Sequence, residues 1–313
     1  MNNSTSSNFN FLSGIQWVLS RVAVIYVILF IFCNIFVDLK DLDSRIKIRH
    51  LNDAIPNFNN MIGLTKNQIS PKDVDWGPYQ YYFKLVLKYI PDDMLVRQLL
   101  GYVDFNVGQE QNAIDLFSNS SVMNGQNLLW SNYNLGVIYY KKGMWPQASQ
   151  YLFKAITSSP NVSMYLMQHS MVYKQILASP AFDLNLNDDI RDAQSRSYIL
   201  LLSCMYKMKQ YDKLVLISNL AFENKELIYK DAYFYYTGLG LFEMGQFDKA
   251  FLLFQQSLTI EKDNPDVYYY IALIYQRAGQ LQQARDYLQI SYALHQKNDP
   301  RFPYDMHTNL RVF

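Results

Sequence analysis

Small residues recur in this chain at nearly constant spacing. One set consists of Gly101, Gly136, Gly238 and Ala272, which lie 35, 102 and 34 residues apart, and a second set consists of Ala113, Ala148, Ala250 and Ala284. Because 102 is three times 34, a unit of about 34 residues fills most of the chain. A unit this short cannot bury its apolar face alone, so we predict that neighbouring units stack into a solenoid.

The bulk composition excludes several classes of protein. With 313 residues, of which 50% are hydrophobic and 18% charged, the chain is long and apolar enough to bury a core, and it is neither disordered nor collagen-like. The 28 basic and 27 acidic residues nearly balance, and no Lys/Arg block is present, so nucleic-acid binding is disfavoured. Cys33 and Cys204 are far apart, which argues against a disulfide framework and a zinc site.

An uncharged apolar run lies near the N-terminus. Residues 22–37 read VAVIYVILFIFCNIFV, in which twelve of sixteen residues are Val, Ile, Leu or Phe, and residues 14–20 are also mostly apolar. Such a run favours insertion into a membrane, and Arg21 can extend its charge to the interface. The sequence therefore predicts one transmembrane helix over residues 14–38, after a polar tail at 1–13.

Two other interpretations of the apolar run are a cleaved signal peptide and a lipoprotein signal. Both need small residues before the processing point, but Phe32, Phe36 and Val37 stand there. We therefore predict an uncleaved anchor and a single-pass membrane protein, followed by a juxtamembrane linker at 39–76.

The charges around the span leave its orientation open. Four basic residues follow it, Lys40, Arg45, Lys47 and Arg49, which places the body of the chain in the cytoplasm. Three acidic residues dilute this cluster, Asp38, Asp41 and Asp43, and a short tail before an anchor is also a common way to hold a domain outside.

Residues 129–162 show how one unit is built. Apolar and small residues follow helical spacing up to Tyr140, Gly143 ends that helix, and Pro146 begins the next one. Pro160 then terminates the second helix. The unit is therefore predicted to be a pair of antiparallel helices.

Seven residues of this unit have the identities and spacing of the tetratricopeptide repeat, namely Leu135, Gly136, Tyr139, Gly143, Ala148, Ala155 and Pro160, so the chain resembles that family. Units 94–127, 231–264 and 265–298 agree well. Units 163–194 and 195–230 are degenerate, and the second has Lys209, Leu214 and Ser218 where a glycine, an alanine and an aromatic are usual. The resemblance implies an all-α, right-handed solenoid of helical hairpins over residues 77–298. In the predicted chain this solenoid follows the N-terminal transmembrane helix indicated by the apolar run and precedes a tail at 299–313.

In this family the first helix of each repeat lines a concave groove in which ligand segments lie. Nine aromatic residues are carried over to that face as candidate partner-binding residues: Tyr102, Phe105, Trp130, Tyr133, Tyr140, Tyr206, Tyr235, Phe242 and Tyr269. Gln98, Ile199 and Gln276 complete the face. Because Tyr and Trp often anchor interfaces, the implied partner is an apolar helix or extended peptide of another protein. Alternatively, these aromatic residues pack against neighbouring helices or against the tail at 299–313.

Some members of the family clamp the terminal carboxylate of chaperone tails with Lys, Asn and Arg on this face. At the corresponding positions this chain has Gln98, Tyr102, Tyr133 and Val137. Chaperone-tail recognition is therefore not expected.

The sequence offers no assembled catalytic group. The four histidines are isolated, at His50, His169, His295 and His307, and none has metal-ligand spacing. The glycines between Gly238 and Gly245 lie in a predicted helical hairpin without a preceding strand, so they do not form a nucleotide loop. The pairs Asp92-Asp93 and Asp188-Asp189 stand before predicted helices, where a carboxylate caps free N–H groups.

We therefore predict a non-catalytic scaffold or assembly factor, tethered to a membrane through residues 14–38, that binds a protein or peptide segment. No cofactor, metal, nucleic acid or small-molecule substrate is expected. Two alternatives stay open at this point: a permanent structural subunit of a membrane complex, and an accessory protein for an enzyme of envelope biogenesis.

Overall fold

The computed structural model describes residues 25–31, 70–170 and 186–297. The chain divides into two compact units, Met1–Pro56 and Asn57–Phe313. In the first unit residues 25–31 are helical and exposed. Within the described ranges, no helix combines the length and apolar character needed to cross a membrane. The rest of the predicted span at 14–38, the polar tail and most of the predicted linker lie outside the described residues.

The described residues of the second unit form helices and one short strand pair. A 3-10 helix at Pro71–Asp73 comes first, and the strands β1 (Val122–Met123) and β2 (Gln126–Asn127) pair in antiparallel fashion. The α-helices are α1 (Gly77–Tyr89), α2 (Met94–Asn106), α3 (Glu110–Asn119), α4 (Leu129–Lys141), α5 (Trp145–Ile156), α6 (Pro160–His169), α7 (Leu186–Lys207), α8 (Tyr211–Glu223), α9 (Lys230–Glu243), α10 (Phe247–Ile260), α11 (Pro265–Arg277) and α12 (Leu281–Lys297).

The described helices pair into five stacked hairpins. The pairs are α2 with α3, α4 with α5, α7 with α8, α9 with α10, and α11 with α12. Successive hairpins also pack on one another through α3 with α4, α5 with α7, α8 with α9, and α10 with α11, while α1 packs on α2 at the start. The predicted all-α stack of helical hairpins is confirmed.

All five hairpins turn in the same way. One residue at the end of each first helix has positive φ: Gly108 (82°), Gly143 (70°), Lys209 (57°), Gly245 (76°) and Gly279 (75°). Its N–H bonds to the carbonyl three residues back, and the next N–H bonds to the carbonyl five residues back. This is the pattern of a Schellman motif, which favours glycine because a side chain strains the left-handed conformation.

Close helix crossings explain the recurring small residues. A Cβ atom added at Gly136 would lie 2.6 Å from Leu152, and one added at Gly238 would lie 2.6 Å from Phe254. In both hairpins the contacting side chain belongs to the second helix. The prediction that Gly136 is small because two helices cross there is confirmed.

The segment between α5 and α7 departs from the repeat. Helix α7 packs directly against both α4 and α5, so it occupies the next place in the stack. Helix α6 instead contacts α2, where Ser170 Oγ donates to Asp93 Oδ2 at 2.9 Å. The predicted boundary between units 163–194 and 195–230 falls inside α7, and residues 171–185 lie outside the described residues.

Aspartate caps the first hairpin as predicted, whereas Asp188 and Asp189 lie in the first turn of α7 and not before that helix. The side chain of Asp93 accepts a hydrogen bond from the Val96 N–H at 3.0 Å and so satisfies a free donor at the start of α2.

Candidate partner-binding face

Two rows of residues run across the first helices of the hairpins. The deep row consists of Gln98, Tyr133, Ile199, Tyr235 and Tyr269 in α2, α4, α7, α9 and α11. The inner row consists of Phe105, Tyr140, Tyr206, Phe242 and Gln276, each seven residues further along the same helix. Residues seven apart lie on nearly the same side of an α-helix, so each helix contributes both residues to one face.

The deep row is largely interior. The first four members, Gln98, Tyr133, Ile199 and Tyr235, are buried, whereas Tyr269 in the last hairpin is 43% exposed. Aromatic rings of successive hairpins approach each other in this interior, since the ring of Tyr235 lies 6.5 Å from that of Tyr270 in the following hairpin. Most of this row therefore holds the stack together, and Tyr269 is its accessible member.

Tyr102 and Trp130, two further predicted binding residues, are also buried. The ring of Trp76, a residue of the predicted linker, packs edge-on against Tyr102 at 5.7 Å. Trp130 Nε1 is buried and has no hydrogen-bond partner. Both side chains thus pack within the chain.

The inner row joins different hairpins while leaving aromatic surface half-exposed. The Tyr140 hydroxyl lies 2.7 Å from Ser203 Oγ of α7, and the Tyr206 hydroxyl lies 3.3 Å from that of Tyr270 in α11. Phe105, Tyr140 and Tyr206 are half-buried. Their exposed parts form a band of rings across the first three stacked hairpins.

Phe242 continues this row but is covered by its neighbours. Its ring packs edge-on against Tyr270 at 5.3 Å, and the guanidinium of Arg277 lies 5.5 Å from its centre. A cation over an aromatic face stabilises both groups.

An ion pair of low exposure lies beside the deep row, between α4, α7 and the start of α9. Arg196 Nε donates to Asp192 Oδ2 at 2.8 Å, and the Tyr229 hydroxyl donates to the other oxygen of the same carboxylate. Burial disfavours the charged Arg196 guanidinium, but the nearby Tyr133, Asp192 and Tyr229 oxygens hold its pKa above the usual value. The guanidinium therefore stays charged inside the stack.

The tyrosine hydroxyls are neutral hydrogen-bonding groups. Burial raises the pKa of Tyr206 well above its ordinary value, and the hydrogen bond to Tyr270 and the charge of Glu243 raise it further. Burial likewise raises the pKa of Tyr236, which approaches Tyr140 and Ser203. These hydroxyls bind and orient neighbouring groups and do not act as bases near neutral pH.

Reactive groups are not gathered on this face. Burial raises the pKa of the Cys204 thiol to about 12, so that thiol is inert. In residues 25–31, 70–170 and 186–297, no three His, Cys, Asp or Glu side chains are arranged to hold a metal ion.

In four hairpins the residue directly after the inner-row residue is charged, and we call these four residues the charged rim. Lys141, Lys207, Glu243 and Arg277 are exposed there, on α4, α7, α9 and α11. Three of these four side chains are basic, so the rim favours carboxylates.

Sequence reasoning missed the residues that tie the rows together. Ser203 meets Tyr140, while Tyr270 meets Tyr206 and stacks on Phe254 with ring centres 5.7 Å apart. The sequence contained a signal that could have identified the tyrosines. Tyr236 and Tyr270 each follow a deep-row residue and lie 34 residues apart, which is the length of one repeat.

Comparison with known families now adds to the geometry. Residues 241–302 match the tetratricopeptide repeat family model. The match covers the end of α9, all of α10, α11 and α12, and a few residues beyond, and it supports the resemblance on which the rows were assigned. No curated protein matches the chain.

Several solved structures are similar to the chain over part of its length. A crystal structure of MamA is 18% identical over 63% of this chain and 95% of its own, with a TM-score of 0.47. MamA from Desulfovibrio magneticus RS-1 is 12% identical over 66% and 98%, with a TM-score of 0.45. The structure of YrrB, described as a tetratricopeptide repeat protein with an unusual peptide-binding site, is 14% identical over 72% and 95%, with a TM-score of 0.48.

Proposed function

We propose that the protein is a non-catalytic scaffold or assembly factor, tethered to a membrane through residues 14–38, that binds a segment of a partner protein across the inner row. The observation that carries this proposal is the stack of five hairpins, which aligns half-exposed aromatic rings from successive first helices. Each hairpin adds contact area, and a few aromatic anchors supply most of the binding free energy in such an interface.

Four aromatic residues are proposed to touch the partner directly, because they combine a place on this face with accessible surface: Phe105, Tyr140, Tyr206 and Tyr269. The remaining predicted binding residues, Tyr102, Trp130, Tyr133, Tyr235 and Phe242, are buried and act by holding these rings in place. Direct contact by the buried residues would require them to leave packed interfaces, which is costly.

The rim indicates the chemistry of the partner segment. Lys141 and Lys207 are exposed beside half-buried Tyr140 and Tyr206, and Arg277 is exposed in the last hairpin. An apolar or aromatic segment that also carries carboxylates satisfies both the rings and the cations. We propose such a segment as the ligand of the face.

The apolar run at 22–37 supports the proposed tether. An anchored protein searches for a partner in two dimensions, and this raises the effective concentration of the two binding surfaces. Which side of the membrane the hairpins face is left open by the flanking charges.

The test replaces accessible rings and leaves buried ones intact. The full chain carrying Phe105→Ala, Tyr140→Ala and Tyr269→Ala is compared with the unmodified chain, and co-purified partner is measured by quantitative mass spectrometry. We expect partner recovery to fall about tenfold or more, because truncating an anchor costs about 2 kcal/mol. Circular dichroism checks that the helical content is retained.

Exposed aromatic residues away from the face supply the matched control. Tyr81 on α1 and Phe153 on α5 are both exposed, so Tyr81→Ala with Phe153→Ala removes similar ring area. This control should keep its partner. Unchanged recovery in the folded triple variant would contradict binding at the inner row.

A second candidate function, a permanent subunit of a larger complex, is favoured by one specific observation. Leu216 and Leu220 on α8 and Leu252 on α10 are exposed at outward positions of neighbouring second helices. The corresponding positions in α3 and α5 hold polar residues, including Asp115 and Gln150. A permanent subunit should aggregate or be degraded when expressed without its neighbours, whereas a scaffold with an open face should accumulate in folded form.

A further inference from the structure

A cleft lies between the β1–β2 strand pair and α6, two elements that do not belong to the five hairpins. Its volume is about 410 Å³, which falls within the range of about 300–1,000 Å³ typical of small-ligand pockets. One wall comes from the strand pair and the other from the first half of α6. The residues that matter below are Met123, Asn124 and Gln126 on the first wall, and Asn161, Val162 and Tyr165 on the second. None of these residues belongs to the deep row or the inner row.

Both walls of the cleft are held in place. Asn124 and Gly125 form a two-residue turn with φ of 50° and 76°, the left-handed geometry that tight hairpins favour. Asn127 Nδ2 donates to Thr157 Oγ1 at 3.3 Å, which ties the strand pair to the chain just before α6. Because the walls are preformed, a ligand loses little free energy in ordering them.

The polar groups of the cleft are uncharged and available to a ligand. Asn124, Gln126 and Asn161 are exposed, and their carboxamides make no hydrogen bond with any residue that the structure describes. Each carboxamide offers two N–H donors and one acceptor oxygen. No charged side chain is among the described residues that line the cleft, so an ionic ligand would find no opposite charge. The cleft therefore favours an uncharged ligand whose groups both donate and accept hydrogen bonds, as hydroxyls do.

Tyr165 supplies an aromatic platform in the same cleft. Its side chain is 51% exposed, and its ring stacks on that of His169 with centres 3.9 Å apart and an angle of 25° between the planes. His169 is held as well, since its Nδ1 lies 2.8 Å from the Tyr165 carbonyl oxygen. A ring supported on one face can pack its other face against an apolar ligand surface. A sugar ring combines such a surface, made of C–H groups, with hydroxyls at its edge.

A peptide segment fits the cleft less well than a sugar. An extended peptide binds along a sheet edge through main-chain hydrogen bonds, but β1 and β2 are two residues long each. A helical partner needs a row of apolar contacts, whereas Met123 and Val162 are the non-aromatic apolar residues among the described residues of the lining.

We propose that this cleft binds an uncharged saccharide unit. Tyr165 packs against the C–H face of the sugar ring, and the carboxamides of Asn124, Gln126 and Asn161 bond with its hydroxyls. This inference is independent of the function proposed for the inner row, because the two sites share no residue.

The test titrates the purified full chain, in a detergent without a sugar headgroup, with two uncharged probes, maltotriose and chitotriose. Saturation-transfer NMR detects binding, and calorimetric titration measures the dissociation constant. We expect at least one probe to bind with a dissociation constant of about 1 mM or lower. Tyr165→Ala should weaken binding about tenfold or more, because it removes the platform. Tyr165→Phe keeps the ring and should bind nearly as well as the unmodified chain.

Matched controls remove similar groups outside the cleft. Tyr81→Ala removes an exposed tyrosine from α1, and Gln168→Ala removes an exposed carboxamide from α6 itself. Both variants should bind the probe as the unmodified chain does. If Tyr165→Ala loses helical circular dichroism, Gln126→Ala with Asn161→Ala replaces it and should weaken binding by a similar factor.

Three results would overturn the proposal. Absence of binding by both probes at about 10 mM would show that the cleft does not take a neutral sugar. Equal weakening by Gln168→Ala and by the cleft variants would place the bound sugar elsewhere on the protein. Binding of an uncharged pentapeptide with blocked ends, and of neither sugar, would assign the cleft to a peptide segment.

Discussion

The hairpins α7–α8 and α9–α10 have the same backbone plan but different sequences. Gly238 of α9 faces Phe254 of α10, whereas the corresponding positions of α7 and α8 hold Leu202 and Ser218. All four residues are buried. The large and the small residue have therefore exchanged helices, which keeps the volume of the crossing nearly constant. The repeat conserves volume and turn geometry rather than residue identity.

The two hairpins also differ in charge. Arg196 of α7, paired with Asp192, stands at the repeat position that the buried Ala232 occupies in α9. A charge of such low exposure is tolerated while an opposite charge is paired with it. Removal of one member of the pair leaves the other charge without compensation. This difference gives the largest effect that we expect.

Asp192→Ala should destabilise the protein by about 3 kcal/mol, because it strands the Arg196 guanidinium in a site of low exposure. Urea unfolding followed by circular dichroism measures the free energy of unfolding. The same helix supplies the control, since Asp188 pairs with Arg191 in an exposed position. Asp188→Ala should cost less than about 1 kcal/mol, because exposed ion pairs contribute little. Equal losses for the two aspartates would mean that burial does not distinguish the pairs.

The second prediction tests whether neighbouring hairpins compensate each other. Leu214 of α8 stands where the well-formed repeats have alanine, and Gly240 of α9 makes room for it. A Cβ atom added at Gly240 would lie 2.9 Å from Leu214 Cδ2. Gly240→Ala should therefore destabilise the intact protein by about 1–3 kcal/mol through overpacking.

The clash should disappear when the leucine is shortened. Leu214→Ala alone leaves a cavity and costs about 2–5 kcal/mol. The double variant should lose about 1 kcal/mol less free energy of unfolding than the sum of the two single-variant losses, as expected for residues in contact. Additive losses would show that the two hairpins adjust independently.

Much of the fold was predictable because turns and crossings leave local signals. The positions of Gly143 and Pro146 located the end of α4 and the start of α5, which lie at Lys141 and Trp145. The prediction that Pro160 terminates α5 is wrong, because α5 ends at Ile156 and Pro160 is the first residue of α6. The place of α7 was not predictable in the same way. The residue at the turn position after α7 is Lys209, which adopts the left-handed conformation. In the other four turns this position is a glycine.

The candidate site was predictable in position but not in exposure. Tyr235 and Tyr269 are the same residue type at the same repeat position, yet one is buried and the other is exposed. Their sequence context is alike, and the difference depends on whether a following hairpin covers the ring. Exposure is thus a property of the stack, which no single repeat encodes.

The smallest effect that we expect concerns the turns of the same two hairpins. Lys209 has a φ of 57° where Gly245 has 76°, so the lysine carries left-handed strain that glycine avoids. Lys209→Gly should stabilise the protein by about 0.5–1 kcal/mol, since relief of strain exceeds the added entropy of the unfolded chain. Gly245→Lys should destabilise it by a similar amount, and thermal unfolding measured on both variants checks the two signs. If Lys209→Gly is destabilising instead, the lysine side chain makes a stabilising contact in the turn, and the two turns are equivalent in backbone geometry alone.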